Sequence, residues 1–397
     1  MAGERAGNNM RRVWKKTGLV LAAAALSVTL AACGNKEGEG QESTPAGTQQ
    51  TTEVQISQAP TVSPTPTAAP TPTMTPTPTP DPHIGEVRSD LTGEWIPEEE
   101  AAKRPYAVVL NNLKLASPQS GIGEADILYE ALVEGGITRF LGIYDGIETD
   151  RLGSIRSARH YFVSFADEYD AIFVHYGKTT YATKKINACG IADIDGTAGS
   201  GSTTFYRDKS IQAPHNAFTG KEWIEETVAR LKFRTEHEES YEAHFQFAEE
   251  SEADGAAEED ARLTADKVTL GFSSYTSPYF EYHEDDGLYY RFQFGKEHVD
   301  YNTGEQLTFR NLIVQFVKEW DIDKNGYQTM ELDDASGEGY FVTDGFAEKI
   351  TWKKIGTDGV TRYYGEDGEE ILLNPGKTYI AVFPNSRTAK VVIEEVK

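Results

Sequence analysis

Two arginines three residues apart stand in the stretch Ser154-Ile155-Arg156-Ser157-Ala158-Arg159-His160, at the junction between a loop and an apolar run that reads as a helix. Free backbone N–H groups at a helix N-terminus point outward and carry partial positive charge. Guanidiniums beside such an end can hold a phosphate or carboxylate in bidentate fashion. Arg156 and Arg159 are therefore candidate anion ligands, with Ser157 between them. Arg139, on the preceding strand, is placed to converge on the same point. The competing reading is that these arginines pair with the chain's own abundant carboxylates and serve only the fold.

Histidines and acids follow close behind. His175 ends the apolar run Ala171–Val174, and the end of a strand is where α/β folds usually place ligand groups. Asp193 and Asp195 come just after the next helical stretch. His215 and Asn216 lie in Ala213-Pro214-His215-Asn216, a turn-forming stretch before another helix. Together they could make an acid/base or metal site. No HExxH, HxH or His-acid spacing selects a metal, so no metal site is assigned. A hydrogen-bonded structural histidine is the simpler reading of each.

Cys189 follows an amphipathic helical stretch and reads as a small buried hydrophobe. A Cys-His pair with His175 or His215 is the chemical alternative. No GxSxG elbow, SxxK motif or P-loop occurs. Asp321-Ile322-Asp323-Lys324-Asn325-Gly326 copies the first half of a calcium loop, but Leu332 stands where a bidentate carboxylate must close the shell. A hairpin turn is expected there.

These residues need elements to position them. Tyr106–Leu110 reads as a short buried strand before Asn111-Asn112. Asp126–Glu134 and Ile137–Asp145 flank Gly135-Gly136. Ile127, Tyr129, Ala131 and Val133 share one face of the first arm, Glu130 and Glu134 the other, which is the signature of a hairpin. A helix over 124–134 is the alternative. Ala158–Tyr169 reads as a helix with Ser157 as N-cap, Ala171–Tyr176 as a buried strand and Thr179–Cys189 as a helix. Thr219-Gly220-Lys221-Glu222 matches a capping box ahead of a helix over 223–233. Beyond residue 266, short apolar runs are divided by clusters such as Asp285-Asp286-Gly287 and Asn374-Pro375-Gly376, a spacing that suggests a sandwich or barrel. The expected fold class is mixed α and β: an N-terminal α/β domain over 91–248, then a β-rich domain over 266–397. An acidic linker, 249–265, separates them. It opens with EESEADGAAEED, in which seven of twelve residues are acidic, and a solvated loop is the expectation.

The chain has 397 residues, with 38 Lys+Arg against 63 Asp+Glu and a net charge of −25. Nucleic-acid binding is not expected, because it rests on clustered Lys/Arg that this composition lacks. Two cysteines exclude a Cys-based zinc module and a disulfide scaffold. Only one apolar segment is long enough to notice. It runs from Leu19 to Ala32, follows Arg5, Arg11, Arg12, Lys15 and Lys16, and ends in Leu30-Ala31-Ala32-Cys33. A basic region, an apolar region of about 14 residues and small residues before the cut make a secretory signal. The arrangement resembles the bacterial lipobox. The resemblance implies that residues 1–32 are removed and that Cys33 receives a diacylglyceryl group. Two acyl chains give stable anchoring where one is marginal. The expected location is the cell membrane, on its extracytoplasmic face.

Residues 33–90 then read as a spacer. From Gly34 to Ile84 there is no aromatic side chain, and Thr-Pro repeats fill Pro60 to Pro82. Such a composition cannot offset ordering entropy, and its Pro-Thr part favours extended polyproline II at ~3.1 Å per residue. It can hold a domain on the order of 100 Å from the bilayer.

Several segments are similar to the YerB-like lipoproteins, a bacterial family of domains of unknown function. They are PQSGIGEADILYEALVEGGITRFLGIY (118–144), GSIRSARHYFVSFADEYDAIFVHYG (153–177), DIDGT (193–197), APHNAFT (213–219) and YYRFQFGKEHVDYNTGEQLTFRNLIVQF (289–316). WKK (352–354) and LNPGKTYIAVFP (373–384) fit the end of the same pattern. The resemblance implies an N-terminal and a C-terminal domain behind a lipoprotein signal. It carries no activity, catalytic set or cofactor with it.

The functional expectation is a non-catalytic, membrane-tethered envelope protein with no cofactor. It would bind an envelope protein or an anionic cell-wall component through the first domain. The first rival is an enzyme on a phosphorylated envelope precursor, with Arg139, Arg156 and Arg159 as clamp and His175 or His215 as acid/base. The second is a solute-binding lipoprotein, which requires a cleft between two similar lobes.

Overall fold

The computed structural model describes residues 82–199, 201–249 and 262–396. The leader, Cys33, the Thr-Pro repeats to Pro80 and the acidic residues 250–261 lie outside the described residues. Ordered backbone begins before Leu91, because Glu86–Arg88 pairs antiparallel with Trp95–Pro97.

Eleven strands form one mixed sheet. They are β1 (Tyr106–Asn111), β2 (Ile127–Leu132), β3 (Thr138–Tyr144), β4 (Ile172–His175), β5 (Asp193–Asp195), β6 (Leu263–Thr264), β7 (Asn311–Val317), β8 (Ala335–Thr343), β9 (Phe346–Lys354), β10 (Arg362–Tyr364) and β11 (Thr378–Pro384). Their order is β6-β9-β8-β7-β11-β2-β3-β1-β4-β5, with β10 also paired to β9. The first half of the chain supplies β1 to β5 and the second half β6 to β11. The seam is a parallel pairing of β2 with β11, from Ile127 opposite Thr378 to Ala131 opposite Val382. The β-rich segment is thus not a self-contained sandwich or barrel. Its strands divide between this shared sheet and a smaller antiparallel one built on Lys267–Leu270, Tyr279–His283, Leu288–Gln293 and Val391–Glu394.

Period-two alternation explains the layering. Ile127, Tyr129 and Ala131 of β2 pack with Val109, Ile380 and the helix α1 (His160–Asp167). Leu128 and Leu132 face the other way, onto Phe280, Leu312 and Tyr379 under the small sheet. The hairpin over 126–145 is present as β2 and β3, paired Ile127–Ile143 to Leu132–Thr138, and the helical alternative is excluded. Helix α1 buries Tyr161, Phe162, Val163, Phe165 and Ala166. Helix α2 (Thr180–Cys189) is capped by Thr179, whose hydroxyl accepts from the Ala182 N–H at 3.1 Å. Helix α3 (Lys221–Leu231) begins after Gly220 with no side-chain cap. The expected capping box fails because Thr219 ends a strand and its hydroxyl donates to the Thr204 carbonyl at 2.7 Å.

Glu130, on the polar side of β2, is fully buried under the small sheet. One of its oxygens accepts from Asn112 at 2.9 Å and Thr138 at 2.6 Å. The other accepts from Arg291 at 2.6 Å and Tyr379 at 2.7 Å. Arg291 is also fully buried and contacts His298. A second buried pair crosses the same divide, with Lys354 at 2.8 Å from Glu168.

Asp126 sits where β2, β3 and β11 meet and accepts from the Asp145 N–H at 2.8 Å. Burial first, and then the Asp145 carboxylate, push Asp126 up to about 7. A carboxyl raised on folding holds a proton that the unfolded chain releases near pH 4, so stability falls as pH rises from about 4 to about 7. Asp126→Asn removes that loss. Its expected result is a gain on the order of 2 kcal/mol at pH 8 and little change at pH 4, read by thermal unfolding at both pH values. An equal effect at both would contradict it.

Candidate functional site

Strands β1, β2, β4, β5, β7 and β11 point the same way, because β1–β4, β4–β5, β7–β11 and β11–β2 are parallel pairs and β3 runs antiparallel between β1 and β2. Their C-terminal ends bring Asn111, Leu132, His175 and Asp195 to one edge, and Arg139 near the start of β3 lies opposite Asn111. Ligands in open α/β sheets gather outside such an edge.

The arginine-bearing segment crosses this edge as extended chain. The Asn111 N–H donates to Ser154 at 2.9 Å, the Arg156 N–H to Val109 at 2.9 Å, and the Tyr176 N–H to the Arg156 carbonyl at 3.0 Å. Gly153 lets the segment enter. Its φ is +147°, and a Cβ there would stand 2.7 Å from the Phe218 ring and 2.9 Å from the Ala217 carbonyl. Helix α1 starts only at His160, with Arg159 at the N-cap position and no side-chain cap. Ser157 is thus not the cap. Its hydroxyl donates to the Tyr176 carbonyl at 3.0 Å, because the backbone there is pairing with the residues after β4.

Arg139 and Arg159 converge on one atom, the Ser157 carbonyl oxygen, at 2.5 and 3.3 Å. Both side chains are buried. Arg159 carries a partner, with Nε and Nη2 on the Glu134 carboxylate at 2.7 and 2.5 Å. Arg139 has no ion pair among the described residues. Burial, then Arg159 and Arg156, push its guanidinium down to about 9. Arg156 lies beside them, half-buried, donating to the Pro214 carbonyl at 2.9 Å while its Nε is buried without a partner. Burial, then Arg159 and Arg207, push it down as well. Arg207 is exposed, 4.7 Å from the centre of the Tyr176 ring, and donates to Asn216 Oδ1 at 2.7 Å. Four guanidiniums therefore stand within one another's field, and of the four only Arg159 has an ion pair among the described residues, in a protein that is strongly acidic overall.

His215 borders this group. Its Nδ1 accepts from Asn111 Nδ2 at 2.9 Å, and burial, then Arg156, lower its pKa. Both effects favour the neutral form of the imidazole.

His175 and Asp195 form a different, closed set across the 156–158 segment. His175 is fully buried, with Nδ1 2.9 Å from the Gly177 carbonyl and Nε2 3.2 Å from Asp193. Lys178 bridges Asp193 at 2.8 Å and Asp195 at 3.2 Å. Asp195 accepts from the Gly177 and Thr197 N–H groups, both at 2.9 Å. Burial works to raise both acids, and these hydrogen bonds outweigh it and hold them low. His175, Lys178 and Asp195 are thus held to one another and to Asp193, as a support for the edge.

The candidates thus separate into an open cationic group, Arg139, Arg156, Arg159, His215 and Asn216, and a closed support, His175 and Asp195. Arg207, Tyr176, Asn111, Glu134 and Lys178 complete the picture. In the sequence Asn111, Glu134 and Tyr176 read only as parts or neighbours of strands, and nothing marked Arg207 or Lys178. Cys189 is half-buried, and burial, then Asp167, push its thiol up to about 11, which disfavours the thiolate at neutral pH. The Asp321–Gly326 turn joins the antiparallel pair Glu319–Asp321 and Gln328–Met330, as a hairpin. Among the described residues, no three His, Cys, Asp or Glu side chains are placed to hold a metal ion. Two cavities, of about 790 and 650 Å³, have none of Arg139, Arg156, Arg159 and Arg207 in their lining.

The comparisons with known proteins agree with one another. Residues 91–234 match the N-terminal domain, and residues 268–380 the C-terminal domain, of a protein family of unknown function designated DUF3048. A relative from Bacillus subtilis (strain 168), YerB, named as a lipoprotein, is 29% identical over 306 residues, covering 77% of this chain and 89% of its own. The crystal structure of Bacillus subtilis YerB superimposes with a TM-score of 0.68 at 27% identity, over 78% of this chain and all of that one.

Proposed function

The chain belongs to the YerB-like family of DUF3048 proteins, and we propose that it is a lipid-anchored, non-catalytic envelope protein that binds an anionic cell-wall component at the C-terminal edge of its central sheet. Anchoring rests on the lipobox-like Cys33, on the spacer behind it and on the relative named a lipoprotein. Binding rests on one observation: four neighbouring guanidiniums of which only Arg159 is ion-paired among the described residues, with Arg156 Nε buried and unpaired. Fold stability alone gives no reason to place like charges together with so little compensation. A phosphate or carboxylate group supplies the missing charge and bidentate acceptors. Arg156, Arg207 and His215 line the accessible side, while Arg139 and Arg159 add their field from beneath.

Isothermal titration of the full chain with inorganic pyrophosphate tests this. Arg156→Gln and Arg207→Gln are each expected to weaken binding at least tenfold, since a hydrogen bond to a charged group contributes about 1.5–3 kcal/mol. Unchanged affinity in both variants would sink the proposal.

A second reading draws on His215, a neutral imidazole beside the cations and suited to accept a proton. It predicts turnover of a phosphorylated envelope precursor that is lost on His215→Gln. The solute-binding alternative needs a cleft between two similar lobes, and the shared sheet weighs against it.

A further inference from the structure

The short strand Tyr206–Arg207 pairs with Ala217–Thr219, which pairs in turn with Leu152–Gly153. Its two side chains leave on opposite sides. Arg207 joins the arginine group. Tyr206 joins a second assembly that the anion site does not use. The Tyr206 and Trp223 ring centres are 4.7 Å apart, with the planes at 70°. Arg151 Nη1 donates to the Tyr206 hydroxyl at 3.4 Å, and the Arg151 guanidinium carbon lies 4.1 Å over the Phe218 ring and 5.2 Å from the centre of the Tyr301 ring. Trp223, Tyr206, Arg151 and Tyr301, from four separate segments, thus follow one another in a row.

Phe218 is buried beneath this row, but Trp223 and Tyr301 stay 37% and 59% exposed. Single exposed rings are ordinary, whereas contiguous ones mark interaction sites. The guanidinium between them is fixed, with Nε donating to Ser120 at 3.1 Å and Nη2 paired with Asp208 at 2.8 Å. The flank is polar. Lys221 pairs with Glu148 at 2.8 Å, and Asn302 donates to the Thr149 hydroxyl at 2.8 Å.

We propose that this row binds the sugar rings of a β-1,4-linked glycan. A pyranose with equatorial hydroxyls has flat faces of axial C–H groups and a polar rim. Aromatic rings and a fixed planar guanidinium match such faces, and the tips of Trp and Tyr add donors for the rim. Trp, Tyr and Arg also anchor protein partners, but there they fill desolvated pockets. An open row with charged and amide neighbours suits a ligand whose hydroxyls stay in water. Because Tyr206 and Arg207 are consecutive, the row continues into the arginine group, and the glycan would be the polymer whose anionic groups that site takes. That last identification rests on the function proposed above; the ring contacts do not.

Saturation-transfer NMR of the full chain with tetra-N-acetylchitotetraose, a neutral β-1,4-linked tetrasaccharide, tests the row without engaging the anion site. Saturation is expected at the sugar ring C–H protons, and not in sorbitol, a polyol with no ring face. Trp223→Ala and Tyr301→Ala should each weaken binding roughly fivefold, the scale of one aromatic contact, with an unchanged melting temperature. Trp223→Phe should keep most of the binding, and Arg156→Gln all of it. Absence of saturation would leave the row to a protein partner and overturn the proposal. Equal saturation of sorbitol, or binding that both alanine variants leave intact, would overturn it as well. If the tetrasaccharide binds as expected and pyrophosphate does not bind, the anion site fails and the sugar-binding row stands.

Discussion

Replacing Glu130 with alanine is expected to lower the free energy of unfolding by about 3–5 kcal/mol, the usual cost of stranding one member of a buried ion pair. Both charges of the Glu130–Arg291 pair are fully buried, 2.6 Å apart. Arg291 would lose its carboxylate and keep only His298 and aromatic rings, with Phe140 centred 5.1 Å away. Asn112, Thr138 and Tyr379 would lose an acceptor as well. The double variant Glu130→Leu/Arg291→Met removes both charges, and should lose less than the sum of its single changes by about 2 kcal/mol or more, because residues in one network couple. Urea unfolding of the four proteins gives the cycle. Since this network ties β2 of the N-terminal half to strands of the C-terminal half, the loss should show as one shifted transition. Two separate transitions in the parent protein, or additive losses, would contradict this account of the seam.

Lys354→Met should be nearly as damaging, and its damage should depend on pH. Lys354 is the cation 2.8 Å from Glu168, which also accepts from the Thr361 N–H and hydroxyl at 2.8 and 3.2 Å. Burial already raises Glu168, with Lys354 the main force lowering it. Without the ammonium the carboxyl rises further. A raised carboxyl destabilises most where the unfolded chain is ionised and the folded one resists ionisation. The loss should therefore be on the order of 3–5 kcal/mol at pH 8 and shrink as pH falls and Glu168 takes a proton. Urea unfolding at pH 8 and pH 5 checks this, and a loss independent of pH would contradict it.

The same residues show how far the sequence reaches. Alternation in Ile127–Val133 marked a hairpin, and a hairpin forms. Alternation says which side chains share a face, but not what covers that face. Glu130 read as the polar side of a strand. It is buried because Arg291, 161 positions away in sequence, arrives on a second sheet. The division at the acidic run reads as two independent units for the same reason, since nothing local announces that β2 and β11 will pair.

The site divides similarly. A short segment with two arginines at a helix entry was visible, and so was the strand-end position of His175. Arg207 was not, because it ends the two-residue strand Tyr206–Arg207, too short to show a period, and meets Arg156 only through tertiary folding. The closure of His175 by Asp193 and Lys178 depends on the parallel register that sets His175 opposite Asp195. Spacing alone could not tell an open acid/base group from a satisfied support.

Arginine-directed footprinting tests the anion site most directly. The full chain is labelled with phenylglyoxal with and without inorganic pyrophosphate, and each arginine is read by peptide mass spectrometry. Arg156 and Arg207 should lose labelling in the presence of pyrophosphate, while Arg234, exposed and hydrogen-bonded through its carbonyl to Arg104 ahead of the start of β1, should not. Labelling of Arg156 and Arg207 that pyrophosphate leaves unchanged would contradict the central claim.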